Sequence, residues 1–136
     1  MSTLAFTYTH TLDLCQIALR YLEGIADYGL LYTKGDLQLS AFCDSDWASD
    51  PDDRHSTFEF AVFLGKRLVY WSAKKQAVIS RSSTEAEYWS LALTTATLFW
   101  LRMLFKELQV PLPSIPILWC DNVSALALAS NPVFHA

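Results

Sequence analysis

Apolar and polar positions along the chain alternate with two periods. Asp13 to Glu23 repeats at helical spacing, with Leu14, Ile17, Ala18, Tyr21 and Leu22 on one face. Thr11 is a candidate cap and Gly24 a candidate stop, and residues 1–12 show no usable pattern. Lys34-Gly35-Asp36 reads as a turn. From Leu37 to Asp44 the period falls to two, setting Leu39, Ala41 and Cys43 against Ser40, Phe42 and Asp44. Phe58–Leu64 and Leu68–Ser72, both rich in aromatic and β-branched residues, predict a hairpin around Gly65-Lys66-Arg67. The helical period returns from Thr84 to Leu108, roughly seven turns. Apolar residues there cover much of the circumference, so Leu91, Ala92, Phe99, Trp100, Met103 and Leu104 are expected to be buried against the sheet. After Pro111, Pro113 and Pro116 comes a strand, Ile117–Asp121, then a short helix, Asn122–Ser130, stopped by Asn131-Pro132. Strand, strand, strand, long helix, strand, helix predicts an α/β fold.

At 136 residues this is one domain by size, with 52% hydrophobic and 18% charged residues, which excludes a disordered chain. The net charge of −4 has the wrong sign for a purely electrostatic nucleic-acid binder. Acids gathered around divalent cations would invert that charge locally. Cys15, Cys43 and Cys120 have no CxxC spacing, which indicates buried, reduced thiols and not a disulfide framework, in an intracellular setting, cytoplasm or nucleus. Met1-Ser2-Thr3-Leu4 lacks the basic start of a signal peptide, and the most apolar run, Leu98 to Phe105, is broken by Arg102 and too short to span a bilayer. No membrane partner is expected.

The candidate chemistry lies in acids. Ser82-x-x-Glu85 and Thr84-x-x-Glu87 are overlapping capping boxes, and only one can start the helix. If Ser82 caps, Glu85 folds back and Glu87 is free to face outward as a metal ligand. Taken alone, both acids need no more than the helix macrodipole. Two strands ending in Asp44 and Asp121 change that weighting, because open α/β sheets carry their sites beyond the strands' carboxyl ends. The acidic loop from Asp46 to Ser56 is no calcium-binding EF-hand. Ala48, Ser49 and His55 stand where such a loop needs Asp or Asn, Gly and Glu. Lys66, Arg67, Lys74 and Lys75 are surface cations first and phosphate contacts second. Cys43 and Cys120, each preceding an acid, are expected to point together and away from the carboxylates.

Six ordered motifs carry a resemblance: Cys43-Asp44-Ser45-Asp46-Trp47-Ala48, Pro51-Asp52-Asp53-Arg54, Trp71 to Gln76, Ser80 to Tyr88, Trp100-Leu101-Arg102 and Cys120-Asp121-Asn122. Together they resemble the ribonuclease H region of copia-type retrotransposon polyproteins. Leu19 to Gly24 resembles the tail that joins reverse transcriptase to it. The likeness covers roughly residues 13–136. It implies a leader over 1–36 and a ribonuclease H-like domain over 37–136, with a mixed sheet in the order 3-2-1-4 and a long helix packed on it. Asp44, Glu87 and Asp121 then match the family's catalytic, metal-binding carboxylates, with Asp46 at most behind them. The implied reaction is hydrolysis of the RNA strand of an RNA–DNA hybrid with two Mg²⁺ ions, or Mn²⁺ in their place. Ser82, Ser83, Asn122, Lys74 and Lys75 are the implied nucleic-acid contacts, reading shape and 2′-hydroxyls.

Three departures accompany it. The sequence stops at Phe134-His135-Ala136, before the family's fourth acid and fifth strand. Phe58-Glu59 stands where the family has Ser-Gly. The first dozen residues do not match. An alternative expectation is therefore a catalytically impaired relic serving as a nucleic-acid or protein interaction module, with strand four as an exposed edge for self-association. An unrelated α/β binding domain is the third reading.

Overall fold

The computed structural model describes residues 2–49 and 52–131. The Asp50-Pro51 pair of the acidic loop, the Pro132 stop and the last residues through Ala136 lie outside the described residues, as does Met1. The chain divides into two compact units, one up to Leu31 and one from Tyr32 onward. The first is built on α1, Ser2–Gly24. The expected helix from Asp13 is thus a correction: helix begins at Ser2, and Thr11 does not cap it. No Gly or Pro interrupts residues 2–23, so nothing breaks the helix before Gly24. Among the described residues no helix is long and apolar enough to cross a membrane.

The second unit is α/β, with a mixed four-stranded sheet. Its strands are β1 (Leu39–Asp46), β2 (Thr57–Leu64), β3 (Arg67–Lys75) and β4 (Ile117–Trp119), its helices α2 (Ser83–Glu107) and α3 (Val123–Ser130). The order is β3-β2-β1-β4. β1, β2 and β3 form an antiparallel meander, and β4 returns parallel to β1. A parallel return needs a crossover, which α2 supplies. Gly65 turns the β2–β3 hairpin at φ +61, and a Cβ there would lie 2.5 Å from the Asp36 carbonyl oxygen. Val69 is the extra residue of a bulge opposite Val62 and Phe63.

Two strand ends differ from the pattern read in the sequence. β1 continues past Asp44 to Asp46, because its ladder with β2 runs on to the Asp46–Thr57 pair. β4 stops at Trp119, where its ladder with β1 ends, so Cys120 and Asp121 lie just beyond the last paired residue. Phe58 packs against the core, and its ring stacks near that of Phe60 at 6.2 Å, so β2 runs through the Phe58-Glu59 departure without a break.

The core lies between one sheet face and α2. Leu39, Ala41, Cys43, Phe60 and Val62 meet Leu91, Leu98 and Leu101. The buried stripe of α2 is narrower than expected: Ala86, Glu87, Ser90, Leu91, Thr94, Leu98 and Leu101. Ala92, Phe99, Trp100 and Met103 are exposed, a correction to the sequence reading. One sheet covers one side of a helix, and an apolar circumference cannot all be covered. Trp100 instead meets the Tyr70 ring at 6.1 Å.

Leu98→Ala is therefore expected to cost about 2–5 kcal/mol in urea unfolding. Phe99→Ala, at a position 64% exposed, is expected to cost under about 1 kcal/mol. Equal losses for the two neighbours would contradict this packing.

A carboxylate cluster at the strand tips

The site begins with a helix cap. Ser82 Oγ accepts from the Glu85 amide at 3.1 Å, and Glu85 Oε2 accepts from the Arg81 amide at 2.7 Å. Ser82 is the N-cap of α2, and Glu85 is occupied by the cap. Glu87 then falls one residue after the buried Ala86 and turns inward onto the sheet, 6% exposed. The expectation that it faces outward is corrected. Two residues past the acid that folds back, the helix has rotated toward the core.

A buried polar network fixes this start against β1. Gln76 Nε2 donates to Ser45 Oγ at 3.2 Å and to the Ala86 carbonyl at 3.0 Å. Ser80 Oγ donates to Gln76 Oε1 at 2.8 Å, and Ser45 Oγ donates to the Thr57 carbonyl at 3.1 Å. The Gln76 amide donates to the Ser56 carbonyl at 2.7 Å, and Trp47 Nε1 to the Ser80 carbonyl at 3.0 Å. One turn further along α2, Ser90 Oγ donates to the Asp44 carbonyl at 2.9 Å.

Glu87 consequently faces the tips of β1 and β4. Burial pushes its carboxyl up to about 7, and the neighbouring Asp44 carboxylate adds to this, with Asp121 contributing less. The Asp44 carboxyl is close enough to hydrogen-bond with it. Asp44 Oδ1 accepts from the Ser45 amide at 2.7 Å. Oxygens of Glu87 and Asp121 and the sulfur of Cys120 all lie within 4.8 Å of one another. Glu87 Oε2 is buried with no hydrogen-bond partner. A cavity of about 390 Å³ opens here, lined by Phe42, Cys43, Asp44, Trp119, Cys120 and Asp121. Asp46, exposed at the end of β1, is not in that lining.

The structure thus places Asp44 and Asp121 each beside Glu87, with Asp44 outside the set of donors that lie within 4.8 Å of one another. The other named residues surround them differently. Ser82 and Asn122 both act as caps; Asn122 Oδ1 accepts from the Ala125 amide at 2.9 Å at the start of α3. Ser83 opens α2 on the exposed side. Lys74 and Lys75 line a separate apolar cavity of about 300 Å³ with Trp89 and Val78. Lys75 Nζ also meets Asp53 Oδ2 at 2.8 Å.

The thiols depart from expectation. Cys43 is buried, and its Sγ donates to the Trp119 carbonyl at 3.7 Å. Burial pushes its thiol up to about 12, with Cys120 the next contributor. The two cysteines do meet. Cys120, however, points into the acids and not away from them. The residue lies past the end of β4, so strand alternation no longer sets its direction. Sequence reasoning also missed Gln76, Ser80 and Ser45. Each has at least one charged neighbour in the chain, Asp44 and Asp46 beside Ser45, Lys75 beside Gln76 and Arg81 beside Ser80, so no local pattern marks them as buried.

An α/β unit with three carboxylates gathered at the carboxyl end of parallel strands defines a candidate metal-dependent site. Similarity then supplies the lineage. The chain is 49% identical over 119 residues to the retrovirus-related Pol polyprotein from transposon RE2 of Arabidopsis thaliana. It is 47% identical over 119 residues to that from transposon RE1 of the same plant. It is 31% identical over 118 residues to that from transposon TNT 1-94 of Nicotiana tabacum. Each match covers 87% of this chain but only 8% or 9% of the relative. No family model and no solved structure matches it significantly. The chain is a homologue of a short segment of retrovirus-related Pol polyproteins of transposons.

The raised Glu87 pKa sets a pH dependence. Between its ordinary value of 4.5 and about 7, the native state holds a proton that the unfolded state has lost. Stability is full below this window and falls as pH rises through it. In the presence of a chelator, the urea midpoint is expected to drop between about pH 5 and pH 8, by on the order of 2 kcal/mol. Glu87→Gln should flatten that dependence; an unchanged slope in the variant would contradict the assignment.

Proposed function

We propose that residues 37–136 form a ribonuclease H-like domain of retrotransposon origin that hydrolyses the RNA strand of RNA–DNA hybrids. The observation that carries this reading is the convergence of Asp44, Glu87 and Asp121 around a buried, unpartnered carboxylate oxygen. Such a set fits a divalent cation. Its donors are hard oxygens, and the burial and neighbouring negative charge that raise the Glu87 carboxyl are both offset by a bound cation.

Asp44, Glu87 and Asp121 would hold the two Mg²⁺ ions, or Mn²⁺, that the family uses. The ions would supply water activation and charge neutralisation at the scissile phosphate. The residues' own contribution is placement. The Ser82 cap and the Gln76 network hold Glu87 against β1, and the Ser45 amide orients Asp44. Lys74 and Lys75 are exposed at the end of β3, Lys75 paired with Asp53, and are the proposed phosphate contacts; Ser82, Ser83 and Asn122 lie at helix starts where backbone amides favour anions. The setting implied is intracellular.

The impaired alternative keeps the same fold and lineage without turnover. One observation favours it. Cys120 places sulfur within 4.8 Å of the Glu87 and Asp121 oxygens, where a magnesium site calls for oxygen. Self-association through β4 is a lesser proposal, because a three-residue edge is short for strand pairing. A sharply monomeric species on size-exclusion chromatography would remove it.

A hybrid-cleavage assay with Mg²⁺ tests the main reading. Cleavage is expected, and Asp44→Asn is expected to lower it more than about a hundredfold, beyond what outer-shell changes at metal sites cost. Identical behaviour of the two proteins would support the inactive relic.

A further inference from the structure

One group in the cluster has no part in the proposed reaction. The Cys120 sulfur stands with a Glu87 oxygen and an Asp121 oxygen, all within 4.8 Å of one another. Glu87 is 6% exposed and its Oε2 lacks a hydrogen-bond partner, so a buried acid with an unsatisfied oxygen faces the Cys120 sulfur and the Asp121 carboxylate. Asp121 is exposed and Cys120 half-buried, which leaves a path from solvent. Cys43 lies beside Cys120 but outside the set of donors within 4.8 Å, and its own Sγ donates to the Trp119 carbonyl.

We propose that Cys120, Glu87 and Asp121 form a capture site for a thiophilic divalent cation, Zn²⁺ foremost, with a fourth position open to solvent. Zinc accepts sulfur and carboxylate donors in tetrahedral geometry, and a three-residue set with one open position is a common arrangement. Bonds of about 2.0–2.3 Å put tetrahedral donors roughly 3.3–3.8 Å apart. Side-chain rotations of about an ångström close the difference. On binding, zinc bonds form to the sulfur and to the two carboxylates, and the thiol proton, with any proton the carboxylates hold, passes to solvent. Two carboxylates and one thiolate against a dication leave a net charge of −1, compared with −2 for the carboxylates alone.

Sulfur is what separates this site from a magnesium site. Mg²⁺ requires oxygen donors in octahedral geometry, whereas thiolate selects softer ions. Glu87 and Asp121 belong to both sets, so the two kinds of ion exclude each other. Zinc would therefore silence hybrid cleavage. That consequence alone rests on the nuclease reading; the binding does not.

The test is a Co²⁺ titration of chelator-treated protein, followed by absorbance of the thiolate-to-metal charge-transfer band and then displacement by Zn²⁺. A stoichiometric band is expected in the natural chain, in Cys15→Ser and in Cys43→Ala, and none in Cys120→Ser. Asp121→Asn, at an exposed position, keeps the fold testable and is expected to weaken Zn²⁺ at least about tenfold. No band in the natural chain, or a band that survives in Cys120→Ser, overturns the proposal. Zinc binding without Mg²⁺-dependent cleavage upholds this site while removing the nuclease reading. Cleavage without the cobalt band does the reverse.

Discussion

The side-chain amide of Gln76 is the joint on which this unit depends. It sits between three elements that share no continuous hydrogen-bond ladder: the tip of β1 through Ser45, the exit of β3 through Ser80, and the first turn of α2 through Ala86. All these contacts are buried. A buried amide that loses a partner costs about 1–3 kcal/mol, so the network is satisfied together or not at all. Its geometric result is that α2 starts at one height and one rotation relative to β1. Everything chemical about Glu87 follows from that placement.

Placed there, Glu87 is a source of instability in the folded chain. Burial and the Asp44 carboxylate both oppose its ionisation. Hydrophobic contacts further along α2, at Leu91, Leu98 and Leu101, hold the helix down regardless. The fold thus sets core burial at one end of α2 against charge repulsion at the other. Binding sites are commonly kept in such unrelaxed arrangements, where a ligand of opposite charge supplies what the protein lacks.

Much of this was legible in the sequence, for identifiable reasons. Period-two alternation located β1, and the Ser82–Glu85 spacing offered one of two overlapping starts for α2, the one that leaves Glu87 free of the cap and agrees with the family resemblance. Both signals are local. What could not be read was the direction of side chains beyond the ends of regular structure. Cys120 lies past the β4 ladder, so alternation gave it the wrong side. The exposure of Phe99, Trp100 and Met103 depends on how much of α2 a four-stranded sheet can cover, which no local pattern encodes. The helix from Ser2 was missed because its residues lack amphipathic order, although they also lack any breaker. Gln76 was legible as part of a motif but not as a hub, since its partners come from three separate segments.

The parallel pairing of β1 with β4 makes the sheet unequal in the chain entropy its contacts cost. The β1–β2–β3 meander joins neighbours through short loops, and closing such loops costs little entropy. β4 pairs with β1 across α2, with most of the unit's length between the partners, so its closure costs the most chain entropy in the sheet. Asp121 travels with β4. The third acid therefore depends on the longest-range pairing in the unit, while Asp44 sits in a strand held by the neighbouring hairpin.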